Sequence, residues 1–144
     1  MRPSLGTTML GIASLLAQRA TCSKLKVGCV LVDRQGRILS TGYNGVPRGC
    51  PHCTDVPCPG ATAPAGADLC EAVHAEQNAL LQCKDPDKIE TCYVTHMPCM
   101  RCVKELMNTR CTSIVYLDGT LAQPSAEALW LHPHGGRSLL QWRI

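Results

Sequence analysis

From residue 90 onward the chain alternates between two apolar patterns, and this alternation restricts the fold more than any other feature. "ETCYVTH" (90–96) and "TSIVYLDG" (112–119) are short β-rich runs with the length of buried strands. Residues 99–108 and 124–131 carry helical spacing instead, and the second of these is entered through Pro124. Strand, helix, strand, helix in that order predicts a parallel portion of sheet joined by helical crossovers. "SLLQWRI" at 138–144 adds a short last strand or a tail. Upstream, "KVGCVLVD" (26–33) and "RILSTGY" (37–43) flank "RQG", whose glycine suits a tight turn, so they form a hairpin. Helices are expected over 7–20 and 74–83. The expectation is a mixed α/β sheet of four or five strands flanked by helices, in one domain spanning 1–144.

The chain has no Phe and only two Trp, so its core must come from Leu, Val, Ile, Ala, Met and Cys. Fourteen basic against eleven acidic side chains give +3. That excess is too small to argue for nucleic-acid binding, but it does not oppose an anionic small substrate. No apolar run approaches the length needed to span a bilayer. Met9, Ile12, Ala13, Leu15 and Leu16 read as one face of a helix rather than as a signal peptide. Eleven cysteines raise the alternative of a disulfide scaffold. The odd number, the ample apolar content and the spacing of Cys99 and Cys102 favour reduced, metal-binding thiols and a cytoplasmic protein. Residues 45–69, rich in Gly and with five Pro, form a long irregular segment; such a loop is functional or tied down by something.

The chemistry concentrates in two stretches. In "YVTHMPCMRC" a strand runs into Pro98, Cys99 and Cys102. Thiols three apart in the first turn of a helix point the same way and suit one zinc ion, and a helix N-terminus favours thiolate over thiol. In "CEAVHAEQNALLQC" (70–83), His74 supplies a third ligand. Three ligands leave a fourth position for water, the mark of a catalytic site. Glu76, two residues after His74 at the tip of the same helix, reaches that water from beside and carries its proton. Each residue has a plainer role when taken alone. His74 suits a cap or core histidine, Glu76 a first-turn acid, and the two cysteines a zinc knuckle or redox pair. One mechanism accounts for all four together.

The arrangement His74-x-Glu76 with Pro98-Cys99-x-x-Cys102 resembles that of the cytidine-deaminase-like zinc deaminases. "RATCSKLKVGCVLVD" (19–33), "GYNG" (42–45) with Pro47, "VHAEQNAL" (73–80) and "CYVTHMPCMRC" (92–102) are similar to deoxycytidylate (dCMP) deaminases in particular. The resemblance implies the three-layer cytidine-deaminase-like fold and hydrolysis of dCMP to dUMP, which feeds thymidylate synthesis. By that resemblance, hydroxide on zinc attacks C4 of cytosine, Glu76 protonates the ring nitrogen and then the leaving amine, and ammonia departs.

It further implies a homohexamer in the cytoplasm, or in the host cytoplasm if phage-encoded, with dCTP and dTTP as effectors. Asn44 and Ala75 would bind substrate, and Tyr43 and Gly45 would serve effector binding. "YNG" equally makes a good turn. Ser23 and Lys26 are candidates for the 5′-phosphate, with Lys24 or Arg48 as alternatives. A second, structural zinc would take Cys22, Cys53, Cys58 and Cys70, with His52 as first substitute. Cys29, Cys83, Cys92 and Cys111 read as core residues, and His96 as lining the pocket. His132 and His134 carry no readable role. The stretch "PGATAPAGAD" (59–68), made of small residues with Asp68 as its one charge, argues against an effector pocket. Rival readings are a transfer-RNA adenosine deaminase, another nucleoside or base deaminase, and a zinc-stabilised module without chemistry.

Overall fold

A computed structural model describes residues 1–64, 69–117 and 119–143. Residues 65–68 of the irregular segment, Asp118 at the end of a predicted strand and the terminal Ile144 lie outside the described residues. The elements run α1 (Leu5–Ala17), β1 (Gly28–Val32), β2 (Ile38–Tyr43), α2 (Ala75–Gln82), β3 (Thr91–Val94), α3 (Met100–Met107), β4 (Ser113–Leu117), α4 (Pro124–Trp130) and β5 (Ser138–Trp142). The strands form a single mixed sheet in the order β2-β1-β3-β4-β5. β1 pairs antiparallel with both β2 and β3, whereas β3, β4 and β5 are parallel. The expected hairpin and parallel portion are both present, and "SLLQWRI" resolves as the fifth strand.

Helices cover both faces. On one, Met9, Leu10 and Ala13 of α1 pack on Val30, Val32, Tyr93 and Val115. On the other, Ala75 and Ala79 of α2, Val103 and Leu106 of α3, and Trp130 of α4 cover Cys29, Leu31, Cys92, Val94 and Ile114. β1 is buried along its whole length, as a central strand between two helical layers must be.

Two glycines bring the layers close. A Cβ on Gly28 would lie 1.8 Å from the Ala13 carbonyl oxygen, and one on Gly42 would lie 2.3 Å from that of Ala75. Gly42 thereby lets α2 settle on β2. Ser40 Oγ donating to the Ala79 carbonyl (2.7 Å) and Asn78 Nδ2 donating to that of Tyr43 (2.9 Å) hold it there.

Two predicted boundaries shift for identifiable reasons. α1 begins at Leu5, not residue 7, because the Ser4 hydroxyl accepts the Thr7 N–H at 3.2 Å and caps the helix. β1 begins at Gly28 because the Val27 N–H is taken by the Asn44 side chain at 2.8 Å rather than by a neighbouring strand. No helix among the described residues is long and apolar enough to cross a membrane.

Candidate active site

The site is built where two helices begin. β3 ends at Val94, and five residues later Cys99 caps α3, with Cys102 in its first turn. His74 caps α2. The reciprocal backbone hydrogen bonds of Gly45 and Val73 (3.1 and 2.7 Å) fix the approach to His74. His74 Nδ1 lies 3.5 Å from the Cys99 sulfur and 3.3 Å from the Cys102 sulfur. Among the described residues, these three form the one group whose ligand atoms all fall within 4.8 Å of one another. Two sulfurs and an imidazole nitrogen are a donor set that suits zinc. Both helix N-termini point their partial positive charge at the thiols.

The protonation pattern follows from this crowding. Cys99 is pulled down to about 3, first by the hydrogen bond from Cys102 and then by that from His74. Cys102 is pushed up because it donates to Cys99 and is buried. His74 is raised chiefly through its hydrogen bond to Cys99. One thiolate thus holds two neighbouring protons, and those are the protons that a bound cation replaces.

Glu76, in the first turn of α2, is only 4% exposed. Burial pushes its carboxyl up to about 7, against hydrogen bonds from its own backbone N–H and from Cys102. The acid therefore stands beside the ligand group, even though it lies two positions from His74 in sequence. This is possible only at a helix tip, where side chains splay forward from the end of the helix.

His74, Glu76 and Cys99 line a cavity of about 280 Å³, whereas Cys102 is buried and does not line it. Asn44 lines it, but its amide is already engaged: Oδ1 accepts from the Val27 N–H (2.8 Å) and Nδ2 donates to the Leu25 carbonyl (2.7 Å). It braces the cavity wall and keeps one N–H and one lone pair for a ligand. Ala75 lines the floor, and at the first position of α2 its N–H has no acceptor within the helix.

Ser23 and Lys26 do not line this cavity, whereas Lys24 does. The Ser23 hydroxyl lies 3.3 Å from the Cys53 sulfur instead, and the irregular backbone of 21–27 has no period from which its outward side could have been read. Arg48 is also absent from the lining.

His96 lines the cavity as expected. The buried Thr95 hydroxyl accepts the Gly28 N–H (3.2 Å) and lies 2.8 Å from His96 Nδ1. Donating its own hydrogen to Nδ1 satisfies that hydroxyl and places the ring proton on Nε2. Gln123, just ahead of α4, also lines the cavity and was missed in the sequence. The usable signal was its place after the carboxyl end of a parallel strand, where open α/β sheets bind ligands.

The remaining cysteines are free thiols. Cys53 and Cys58 lie 3.7 Å apart, and the Cys53 thiol is lowered to about 7, first by the Ser23 hydroxyl and then by the Cys58 N–H. Cys70 is exposed and is hydrogen-bonded to Cys58, with Cys22 close enough to act on it electrostatically. These four are neighbours without the tight convergence of the His74 group. His52 stands apart from them and lines a separate cavity of about 220 Å³ with Tyr43 and Gly45. Cys29 and Cys92 lie 3.6 Å apart in the core, near Cys111.

A mixed five-stranded sheet under helices, with a His–Cys–Cys group and a buried acid at two helix tips, defines the class of zinc-site deaminase folds. Residues 5–118 match the family described as the cytidine and deoxycytidylate deaminase zinc-binding region, and the chain belongs to that family. It is 42% identical to the deoxycytidylate deaminase of Mycobacterium phage D29 over 123 residues, covering 80% of this chain and 95% of that one. It is 37% identical to the deoxycytidylate deaminase of Saccharomyces cerevisiae, over 81% of this chain but 38% of that longer protein. Among solved structures, it is similar to the dCMP deaminase of cyanophage S-TIM5 in complex with dCMP and dUMP. That match has a TM-score of 0.70 and 26% identity, and it covers 100% of this chain and 99% of the other.

Proposed function

We propose that this chain, as one deaminase domain over 1–144, hydrolyses dCMP to dUMP and ammonia. The observation that carries the proposal is the buried Glu76 carboxyl beside the three convergent ligands, inside a cavity of nucleotide-binding size. Zinc held by His74, Cys99 and Cys102 supplies Lewis-acid activation of water. Glu76 would take a proton from the water whose oxygen bonds to C4 and deliver it to N3 of the base, then carry the proton of the resulting C4 hydroxyl to the amine as the C4–N bond breaks and ammonia leaves. With its pKa near 7 it can both hold and release a proton at neutral pH. Ala75 N–H and the unused capacity of Asn44 would orient the nucleoside, and the 5′-phosphate would pair with Lys24, exchanging its 3.1 Å bond to the Ala63 carbonyl, with Ser23 and Lys26 as the alternatives.

Further parts of the reading rest on the family resemblance. Cys22, Cys53, Cys58 and Cys70 would hold a second, structural zinc, with the 3.7 Å pair of Cys53 and Cys58 as its nucleus. The cavity at Tyr43, Gly45 and His52 would accept dCTP or dTTP. The enzyme would work as a homohexamer in the cytoplasm. Incubating the purified protein with dCMP should deplete cytosine absorbance and release one ammonia per dUMP, with deoxycytidine reacting far more slowly and adenosine-containing RNA unreactive. Adenosine deamination without dCMP turnover would overturn the proposal.

A further inference from the structure

The ligands of the candidate metal centre sit on two different helices, so the distance between those helices determines whether the three donors converge. α2 is fastened to β2 through Gly42, Ser40 and Asn78, while α3 is fastened through Val103 and Leu106 in the core. Both attachments run through the shared sheet rather than directly from one helix to the other. Gln77 connects the two helices directly. Its Oε1 accepts the backbone N–H of His74 at 3.0 Å, and its Nε2 donates to Glu105 Oε1 on α3, also at 3.0 Å. Glu105 is one turn beyond Cys102 and acts on that thiol electrostatically. A single amide therefore reaches the cap that presents the imidazole and the helix that presents both sulfurs.

From this geometry we infer that Gln77 is a positioning residue for the metal centre: with Glu105, it locks the His74 cap of α2 to the Cys99–Cys102 turn of α3 and so slows metal release. The inference rests on the reading that His74, Cys99 and Cys102 hold zinc. The Gln77 side chain does not line the substrate cavity. It acts through the His74 backbone and the Glu105 carboxylate, as groups just outside a metal's ligands commonly do. The amide is suited to this double task because it accepts at one end and donates at the other. A carboxylate at 77 facing the carboxylate at 105 would lose the donor and add repulsion. An exchange of the two groups would restore the link, since Glu at 77 still accepts from His74 while Gln at 105 donates to it.

The test is the rate of zinc release to a chromogenic chelator, using the phase absent from Cys99→Ala to identify this site. Gln77→Leu should release zinc about tenfold faster or more. Glu105→Leu should do the same, and the double Leu variant should be no faster than Gln77→Leu, because both cut one link. The exchanged pair Gln77→Glu with Glu105→Gln should return to within about threefold of the wild-type rate, a rescue that general damage to the fold would not show. Release at the wild-type rate from a folded Gln77→Leu, or additive Leu effects without rescue by the exchanged pair, overturns this inference alone. If Cys99→Ala loses no zinc, the metal reading itself fails.

Discussion

Two groups of potential metal donors border the same cavity, one through His74 and Cys99 and the other through Cys22 and Cys70, and they are built differently. His74, Cys99 and Cys102 stand at the first turns of α2 and α3, whose buried faces are part of the core. Cys22, Cys53, Cys58 and Cys70 stand on irregular backbone, where among the described residues the 3-10 turn at Pro59–Ala61 is the one helical element. The first group converges by virtue of the sheet and helix packing, before any cation is considered. The second group consists of a close pair of sulfurs with two neighbours, on a segment with little apolar packing of its own. The His74, Cys99 and Cys102 donors are thus preorganised by the fold, whereas under the proposed second zinc the loop thiols would gain order from the ion they bind.

That contrast is open to direct attack. The largest effect should come from Glu76→Gln, which keeps the shape of the preorganised site but removes its proton carrier. Turnover of dCMP should fall by about a thousandfold or more, with the zinc content of the site unchanged. Chelator treatment comes next. It should abolish turnover while circular dichroism keeps the helices of the core, and limited proteolysis should begin within residues 50–70. Cleavage starting in α2 or α3 would reverse the comparison.

Cys58→Ser should likewise open the loop to protease, lowering kcat by less than about tenfold as long as the helix tips stay in place. Lys24→Met should raise KM for dCMP by about tenfold and leave any slow reaction with deoxycytidine unaltered, since only the phosphate partner is lost. An equal effect on both substrates would assign Lys24 to the loop rather than to the ligand.

The smallest effect concerns pH. Burial lowers the pKa of His96 below its ordinary 6.5. Above 6.5 the ring is neutral in both folded and unfolded chains and has no linkage effect. As pH falls below 6.5, the unfolded chain binds a proton that the folded one refuses, so stability declines until the folded-state pKa is passed. In urea titrations, His96→Gln should flatten this part of the stability profile, leaving stability at pH 8 nearly unchanged. A profile as steep as that of the wild type would show that His96 carries none of the slope.

The same contrast explains what could be read in the sequence. Alternating strand and helix patterns from residue 90 fixed the parallel part of the sheet because periodicity records burial directly. The spacing of Cys99 and Cys102 was informative for a related reason: positions three apart share one helix flank. In the irregular segments no period exists, so the direction of Ser23, Lys24 and Lys26 was hidden. Only the structure places Lys24 on the cavity wall, with its Nζ donating to the Ala63 carbonyl at 3.1 Å, and turns Ser23 toward Cys53. Asn44 was legible as a cavity residue, yet its second task of bracing Leu25 and Val27 depends on contacts across 17 and 19 positions of sequence. Gln123 was hidden similarly, because it reaches the cavity only once β4 has been laid beside β3.

The most direct test of the central claim is to measure metal content and dCMP turnover together in two variants. The account predicts that Glu76→Gln retains the wild-type complement of zinc while losing turnover, and that Cys99→Ala holds one equivalent less and is also inactive. Wild-type turnover by Glu76→Gln, or a fully zinc-loaded and active Cys99→Ala, would contradict it.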